Sequence, residues 1–314
     1  NPQTTVTPYR TGTRFNSGDN AMPDLTARWL TKGDWGHFTV AGMVRQFKVL
    51  EETDTGASVS VSGKFNLGKS DDIRYAVNAG QGIGRSVAEG FAQLGGQVIG
   101  FDLSFPEQNY GFTRYVLDIG DAQAVQQACH ELLGAHGVID VLASVAGVLR
   151  LAPIEALALE DWDACLRVNV SGPFYLLRQL MPRFKAWRRG AVVAVSSNAA
   201  HVPRMQMAAY SASKAALSSL IRTAGLELAA HGVRCNLVSP GSTDTPMQRG
   251  MWHSPDAAAR TIAGFPEQFK LGIPLQKIAT PEEIASVVLF LASNLASHIT
   301  LQDIVVDGGA SLTD

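Results

Sequence analysis

A tyrosine and a lysine four residues apart are the pair in this sequence best suited to proton transfer. Tyr210 and Lys214 stand within a long helical pattern, so their side chains share one face of the predicted helix. An ammonium group beside a phenol favours the phenolate and lowers the pKa of the tyrosine, which makes it a candidate general acid or base. Ser197 follows an apolar strand 13 residues before Tyr210, and Asn169 lies further upstream. The Tyr–Lys spacing alone is common by chance, but the four residues together are specific.

A glycine-rich turn at residues 79–84 precedes a helical pattern and predicts a phosphate-binding site. Gly80, Gly82 and Gly84 let the backbone approach a pyrophosphate, and the free N–H groups of the following helix point towards it. Asp102 comes 18 residues after Gly84, at the end of an apolar strand. A carboxylate there binds the ribose hydroxyls of adenosine and repels the 2′-phosphate of NADP. Together these features predict a site selective for NAD.

Composition limits the classes of partner. The 314 residues are 46% hydrophobic and 17% charged, which suits one or two globular domains. The net charge of −2 predicts neither nucleic acid nor an anionic membrane as a partner. The sequence has three scattered cysteines and no CxxC or HExxH motif, so we expect no metal site and a reducing, cytoplasmic setting. The uncharged stretch at 284–302 is interpreted as a helix and a loop rather than a membrane span, and no secretory leader is visible.

The pattern of apolar and polar residues along the chain changes near residue 78. Before it, alternating stretches at 25–30, 37–44 and 57–62 are separated by turn residues, which predicts antiparallel β-hairpins. After it, short apolar runs alternate with helical patterns, which predicts an α/β, Rossmann-like, doubly wound parallel sheet. The expected helices are 85–94, 122–133, 160–187 and 208–230, and the expected strands are 98–102, 139–143, 191–195 and 233–238. We therefore divide the chain into a hairpin segment, 1–72, and a nucleotide-binding domain, 73–314.

From about residue 79 to the end, the chain resembles the short-chain dehydrogenase/reductases. The resemblance extends beyond the Tyr–Lys pair to longer strings at 147–150, 200–204, 239–249, 267–275 and 298–309. Those strings are similar to the branch of the family that oxidises a dihydrodiol of benzoate to 2,3-dihydroxybenzoate in catecholate siderophore biosynthesis. The resemblance implies NAD as the cofactor and a homotetramer that pairs the two long helices.

The resemblance also implies roles for individual residues. Tyr210 would be the general acid/base, and Lys214 would lower its pKa and hold the nicotinamide ribose. Ser197 would orient the substrate hydroxyl together with Tyr210, and Asn169 would support a proton relay. The implied cofactor-binding residues are Asn78, Gly80, Gln81, Gly82, Ile83, Gly84, Asp102, Asp118, Ile119, Ala146, Gly147, Lys214, Pro240, Gly241, Thr243 and Thr245.

The implied substrate is a small carboxylate, so a cation is expected to meet it. The candidates are Arg150, Arg204, Arg249 and Lys270. Arg150 is preferred because it follows the strand that ends over the nicotinamide. Met247, Gln248 and Phe269 fall in the region that closes over substrate, and His201 is a further candidate for the pocket wall, or else a hydrogen-bonded structural histidine.

The sequence departs from the family just before the glycine turn. The family has Thr-Gly where this chain has Val77 and Asn78. Asparagine tolerates left-handed backbone better than most residues, but its side chain stands where the cofactor approaches closely. Arg74 occupies an expected apolar central strand. These departures leave open an inactive protein with a damaged cofactor loop. Another short-chain alcohol dehydrogenase, acting on a sugar alcohol or a 3-oxoacyl group, is a second alternative, although Asp102 argues against an NADPH-dependent reductase.

The segment before the domain has a different resemblance. Strings at 24–42 and 63–75 resemble strand hairpins of Gram-negative outer-membrane porins. The string at 79–85 fits either parent, so the hypothesis is a chimera joined there, by gene fusion or by sequence misassembly. A natural N-terminal extension is the alternative.

Overall fold

A computed structural model describes the backbone of residues 25–33, 36–49, 52–65 and 74–78, and residues 82–105 and 109–312 with their side chains. The chain divides into two compact units, Asn1–Asp71 and Asp72–Asp314. The side chain of Asn78, together with Gly80 and Gln81, lies outside the described residues, so the structure says nothing of their predicted contacts with a cofactor.

The first unit contains a three-stranded sheet. Its strands are β1 (Leu25–Gly33), β2 (Gly36–Val49) and β3 (Glu52–Phe65). Both neighbouring pairs are antiparallel. The interpretation of this segment as porin-like hairpins stays a prediction.

The second unit is built on a seven-stranded sheet in which every neighbouring pair is parallel. Its strands are β4 (Arg74–Asn78), β5 (Gln97–Asp102), β6 (Thr113–Val116), β7 (Val141–Ser144), β8 (Gly190–Val195), β9 (Val233–Pro240) and β10 (Asp303–Val306). The order β10-β9-β8-β7-β4-β5-β6 reverses direction between β7 and β4. Ligands of such sheets bind at the carboxyl ends of the strands beside this reversal. The predicted Rossmann-like fold is confirmed.

Helices cover both faces of this sheet. They are α1 (Gly82–Gln93), α2 (Ala122–His136), α3 (Leu159–Leu166), α4 (Gly172–Trp187), α5 (Ala208–Ala229), α6 (Pro246–Arg249), α7 (Ala257–Ala263) and α8 (Pro281–Ala292). One apolar core lies under α2, α4 and α5, and a second lies under α1 and α8. Within the described residues, no helix is long and apolar enough to span a membrane.

The predicted helix 160–187 is not continuous. A π-helical turn at Arg167–Ser171 separates α3 from α4. Asn169 is fully buried in this turn, and its side-chain amide hydrogen-bonds the backbone of Val148 in the loop after β7. The sequence period did not predict this turn, because one wide turn hardly disturbs an apolar pattern. Such turns occur frequently at functional sites.

Candidate active site

A cleft of about 420 Å³ opens at the carboxyl ends of the parallel strands, beside the order reversal. The structure brings most of the predicted site residues to its wall: Gly82, Ile83, Gly84, Asp102, Asp118, Ile119, Ala146, Gly147, Ser197, Tyr210, Lys214, Pro240, Gly241, Thr243, Thr245, Met247 and Gln248. These residues come from separate parts of the chain and meet because successive strand ends share one edge of the sheet.

Tyr210, Lys214 and Ser197 form one contiguous group in the cleft. Tyr210 and Lys214 lie one turn apart on α5, with the Lys214 Nζ 5.8 Å from the centroid of the Tyr210 ring. The Lys214 ammonium donates to the carbonyl oxygen of Val195 at 2.8 Å. Ser197 is held just after β8, where its Oγ accepts from the amide of Ala199 at 3.2 Å, and its hydroxyl hydrogen-bonds the phenol of Tyr210. The arrangement can hold a substrate hydroxyl and take its proton.

Burial controls the protonation of the Tyr–Lys pair. It raises the pKa of Tyr210 above its usual value, against the hydrogen bond from Ser197, which lowers it. It lowers the pKa of Lys214 to about 8. The expectation that the lysine lowers the pKa of the tyrosine stays a prediction, while burial shifts both pKa values towards the neutral forms. The physical reason is that loss of hydration disfavours both charged forms.

The lowered pKa of Lys214 predicts a pH-dependent stability. Because its folded-state pKa of about 8 lies below the 10.5 of an exposed lysine, the folded state binds fewer protons between these values, and stability rises as the pH increases through them. We expect Lys214 to contribute about 1 kcal/mol of added stability from about pH 7 to 9 in cofactor-free protein. Lys214→Met should remove this gain, as measured by urea unfolding.

The matched control is Lys185→Met, since this lysine lies on α4 in a long surface pair with Glu227. It should keep the wild-type pH dependence. A Lys214→Met protein with the same pH dependence as the wild type would contradict the assignment.

The side chain of Asn169 links α5, the helix that carries Tyr210 and Lys214, to the loop after β7. Its Oδ1 accepts from the amide of Val148 at 2.8 Å, and its Nδ2 donates to the carbonyl of Val148 at 3.0 Å and to the Oγ of Ser213 at 2.9 Å. Ser213 in turn donates to the carbonyl of Tyr210 at 2.7 Å. A Cβ on Gly147 would lie 3.2 Å from both the Asn169 Oδ1 and the Lys214 Nζ. Asn169 therefore positions the cleft wall, and its predicted part in a proton relay stays a prediction.

The opposite end of the cleft begins with α1. Gly82 has a φ of +57°, which favours glycine, and a Cβ on it would approach the Thr245 side chain to 3.3 Å. The first turn of α1 carries no acidic residue, so its free N–H groups offer a site for an anion. Asp102 ends β5, with its carboxylate accepting from the amide of Leu103 at 2.8 Å.

Asp118 lies in the same end of the cleft and is anchored to the π-helical turn. Arg167 contacts one carboxylate oxygen at 2.7 Å, and the amide of Gly120 donates to the other at 2.8 Å. Burial acts to raise the pKa of Asp118, but these bonds and the Arg167 charge outweigh it, so the pKa is lowered. Asp118 is thus an ionised, fixed residue beside Ile119.

The four candidate cations separate into two pairs. Arg150 is exposed and pairs with Asp161 at 2.8 Å, and Arg249 forms a two-point bond with Asp244 on the surface. Neither of these two arginines is among the residues that line the cleft, whereas Arg204 and Lys270 both line it. The preference for Arg150 is therefore corrected. Its position after β7 is right, but its side chain turns to α3, which carries the opposite charge.

One further expectation about the pocket wall, for Phe269, is corrected, and the structure decides between the two alternatives for His201. The side chain of Phe269 is 90% exposed and is absent from the cleft lining, because its residue sits at the tip of a tight turn between Phe265 and Lys270. His201 faces away, with its Nε2 3.0 Å from an oxygen of the buried Asp303 carboxylate. His201 therefore has the structural role that was its alternative. The cleft is also lined by Met207, Met251 and Thr261, which belong to no sequence motif and so could not be predicted as site residues.

Comparison with known proteins now places the fold and the site in a family. A family model described as enoyl-(acyl carrier protein) reductase matches residues 77–311. The chain belongs to the short-chain dehydrogenase/reductase family. Dehydrogenases of this family use nicotinamide cofactors.

Dehydrogenases of known name are similar to this chain in sequence, and two of them have the same name. The chain is 55% identical over 238 residues to 2,3-dihydro-2,3-dihydroxybenzoate dehydrogenase of Escherichia coli K12, covering 76% of this chain and 96% of that protein. The enzyme of the same name from Bacillus subtilis is 41% identical, with 76% and 96% covered. D-threitol dehydrogenase of Mycolicibacterium smegmatis is 32% identical, with 80% and 97% covered.

A solved structure supports the same assignment. The ligand-free aldohexose dehydrogenase of Thermoplasma acidophilum matches with a TM-score of 0.70 and 29% identity, covering 77% of this chain and 95% of that one.

The residues present fit a nicotinamide dinucleotide. The cleft runs from Asp102 past the N-terminus of α1 to Lys214, and Gly147 leaves open the space that a side chain would fill beside the lysine. In the described part of the chain, no group of three or more histidine, cysteine or acidic residues is arranged to hold a metal ion.

Proposed function

We propose that this protein oxidises 2,3-dihydro-2,3-dihydroxybenzoate to 2,3-dihydroxybenzoate with NAD, a step of catecholate siderophore biosynthesis. The observation that carries the proposal is the 55% identity to the Escherichia coli enzyme of that activity across 96% of its length. The cleft is consistent with it, because a proton acceptor, a hydroxyl-binding serine and two cations line one space.

Each of these cleft residues has a separate role in the proposed reaction. Ser197 holds the oxygen of the substrate hydroxyl, and Tyr210, as phenolate, removes its proton. The Lys214 ammonium lies 5.8 Å from the Tyr210 ring centroid and stabilises the phenolate. When bound, NAD would supply the hydride acceptor for the substrate carbon that bears this hydroxyl. Met247 and Gln248 line the cleft, where they can contact the substrate. The ketone product then tautomerises: the proton on the neighbouring ring carbon moves through solvent to the ketone oxygen. The ring becomes aromatic, which makes the overall oxidation favourable.

We propose NAD rather than NADP because Asp102 presents a carboxylate at the adenosine end of the cleft. Asp102→Ala should weaken NAD binding about tenfold, the value of a hydrogen bond to a charged group, and should narrow the preference for NAD over NADP. Calorimetric titration of both cofactors measures the two effects. Asp163→Ala, an exposed position on α3, is the control. An Asp102→Ala protein that keeps the wild-type preference would argue against this role.

The activity is tested by following NADH formation with purified protein, NAD and 2,3-dihydro-2,3-dihydroxybenzoate, beside D-threitol as the alternative alcohol. We expect NADH with the diol and little with D-threitol. The reverse order would favour a sugar-alcohol dehydrogenase. A protein that is stabilised by NAD on heating but oxidises neither alcohol would overturn the proposal.

If the protein does not bind NAD, the expected cause is the turn before α1. Val77 and Asn78 replace the Thr-Gly expected there. Restoring both residues should then recover a thermal shift with NAD, because the cofactor stabilises only the folded protein that binds it.

We propose a homotetramer that pairs α4 and α5 with their copies. Phe174 on α4 is 44% exposed and Leu226 on α5 is 68% exposed, so both helices carry apolar side chains outside the cores. Light scattering on the purified protein measures the mass, and a monomer would contradict the proposal. A cytoplasmic location goes with the proposed pathway and is tested by cell fractionation.

We propose that residues 1–72 are a porin-like segment joined to the dehydrogenase domain near residues 79–85. In support, the match to the family model begins at residue 77, and the Escherichia coli relative covers 76% of this chain. Sequencing independent DNA across codons 70 to 90 separates a real fusion from a misassembly. A continuous gene with this junction supports the fusion.

A further inference from the structure

We propose that Arg204 and Lys270 together form the carboxylate-binding site of the cleft and so restrict the enzyme to anionic alcohols. This inference rests on the proposed function for the identity of the substrate. Neither residue has a role in proton transfer or in cofactor binding as described above.

Arg204 is a cation whose charge is not matched by a direct partner. Its Nη2 is buried and has no hydrogen-bond partner among the described residues. The nearby carboxylate of Asp307 is already occupied, since it accepts from Asn198 at 3.1 Å and from the amides of Gly309 and Ala310 at 2.9 and 3.1 Å. A buried guanidinium N–H without an acceptor is costly, and an anion in the cleft would supply the acceptor.

Lys270 is held in place by a small, rigid hairpin. The backbones of Phe265 and Lys270 exchange two hydrogen bonds at 2.8 and 3.1 Å, and the Lys270 Nζ lies 5.3 Å from the centroid of the Phe265 ring. A Cβ on Gly264 would lie 2.5 Å from the amide of Gly272, so only glycine allows the two arms of this turn to pack closely. The turn therefore holds the backbone of Lys270, a residue that lines the cleft.

Arg204 and Lys270 line the same cleft, where the charge of one acts on the other. Burial lowers the pKa of Lys270, and the charge of Arg204 lowers it further. Burial also lowers the pKa of Arg204, although the charge of Asp307 opposes this. Within the described part of the chain, neither cation has an ion pair within 4.0 Å. Two like charges on one half-buried wall are stabilised by an anion between them, and a carboxylate suits an arginine because it accepts two parallel bonds.

The position of the pair favours substrate over cofactor as the source of the anion. Arg204 belongs to the segment between Ser197 and Tyr210, which follows β8 on the β7–β10 side of the order reversal, and it lines the cleft. The helix N-terminus and Asp102, which suit the pyrophosphate and the adenosine ribose, come from strand ends on the other side of the order reversal. The pair therefore selects the substrate.

The test compares probes with and without a carboxylate. Calorimetry in saturating NAD measures the binding of 2,3-dihydroxybenzoate and of catechol to wild type, Arg204→Gln and Lys270→Gln. We expect the wild type to prefer 2,3-dihydroxybenzoate, and each variant to lose about tenfold or more of that preference. Arg150→Gln, an exposed arginine paired with Asp161, is the matched control and should keep the preference.

Turnover gives a second, independent measurement. The ratio of kcat/KM between 2,3-dihydro-2,3-dihydroxybenzoate and the same diol without its carboxylate should fall in Arg204→Gln and Lys270→Gln, mainly through KM. An NAD-induced thermal shift equal to that of the wild type shows that the variants are folded. Loss of the preference in Arg150→Gln, with retention in the other two, would overturn the inference.

Failure of the proposed function is distinguishable from failure of this site. If the wild type oxidises neither diol, the proposed function fails, while preferential binding of 2,3-dihydroxybenzoate that depends on Arg204 and Lys270 would still support the site. If the wild type oxidises the carboxylated diol and neither substitution changes the kcat/KM ratio between the two diols, the proposed carboxylate site is wrong. The proposed function is then still supported.

Discussion

Tyr210→Phe is expected to lower kcat for diol oxidation by about 10³-fold, within the range ascribed to a positioned general base. The substitution removes only the phenolic oxygen that accepts the proton. The ring can keep its place on α5, 5.8 Å from the Lys214 Nζ, so NAD binding should persist. Steady-state kinetics measures the first effect, and the thermal shift with NAD measures the second.

The matched control for this substitution is Tyr175→Phe. Tyr175 lies on α4, outside the cleft lining, and the chemical change is identical. Its activity should stay close to that of the wild type. A Tyr210→Phe enzyme that retains a tenth of wild-type kcat would show that another group accepts the proton.

Asn169→Leu is expected to combine a loss of stability with a loss of activity. Leucine is similar in size but leaves the amide and carbonyl of Val148 and the hydroxyl of Ser213 without their buried partner. At about 1–3 kcal/mol for each unsatisfied group, the free energy of unfolding should fall by about 3 kcal/mol or more. The loop that carries Gly147 should then shift beside Lys214, so kcat should also fall.

Ser213→Ala separates the contributions of Asn169. It removes one of the three Asn169 bonds, together with the bond from the Ser213 hydroxyl to the carbonyl of Tyr210. Its loss of stability should therefore be about 1–2 kcal/mol, less than that of Asn169→Leu. Urea unfolding ranks the variants, and kinetics is measured below the unfolding transition. Equal stability of Asn169→Leu and wild type would contradict the positioning role, because the loss of three buried hydrogen bonds must lower the free energy of unfolding.

The parts of the fold that depend on local pattern were predictable. Buried parallel strands such as β8 are short apolar runs, and the spacing of Tyr210 and Lys214 puts them on one helix face wherever that helix packs. The burial of Asn169 in the π-helical turn was not predictable, since the partner of its side chain is Val148, 21 residues away in sequence.

By itself, the sequence determined the Rossmann-like class, the pairing of Tyr210 with Lys214 and the glycine-rich start of α1, because each depends on residues close together in the chain. Only the tertiary structure selected between the candidate cations. Arg150 and Arg204 both follow predicted elements of the site, but Arg150 meets Asp161 while Arg204 remains buried at the cleft without a partner for its Nη2. The raised pKa of Tyr210 likewise arises from burial. Burial and charge pairing depend on which distant segments pack together, and no local pattern carries that information.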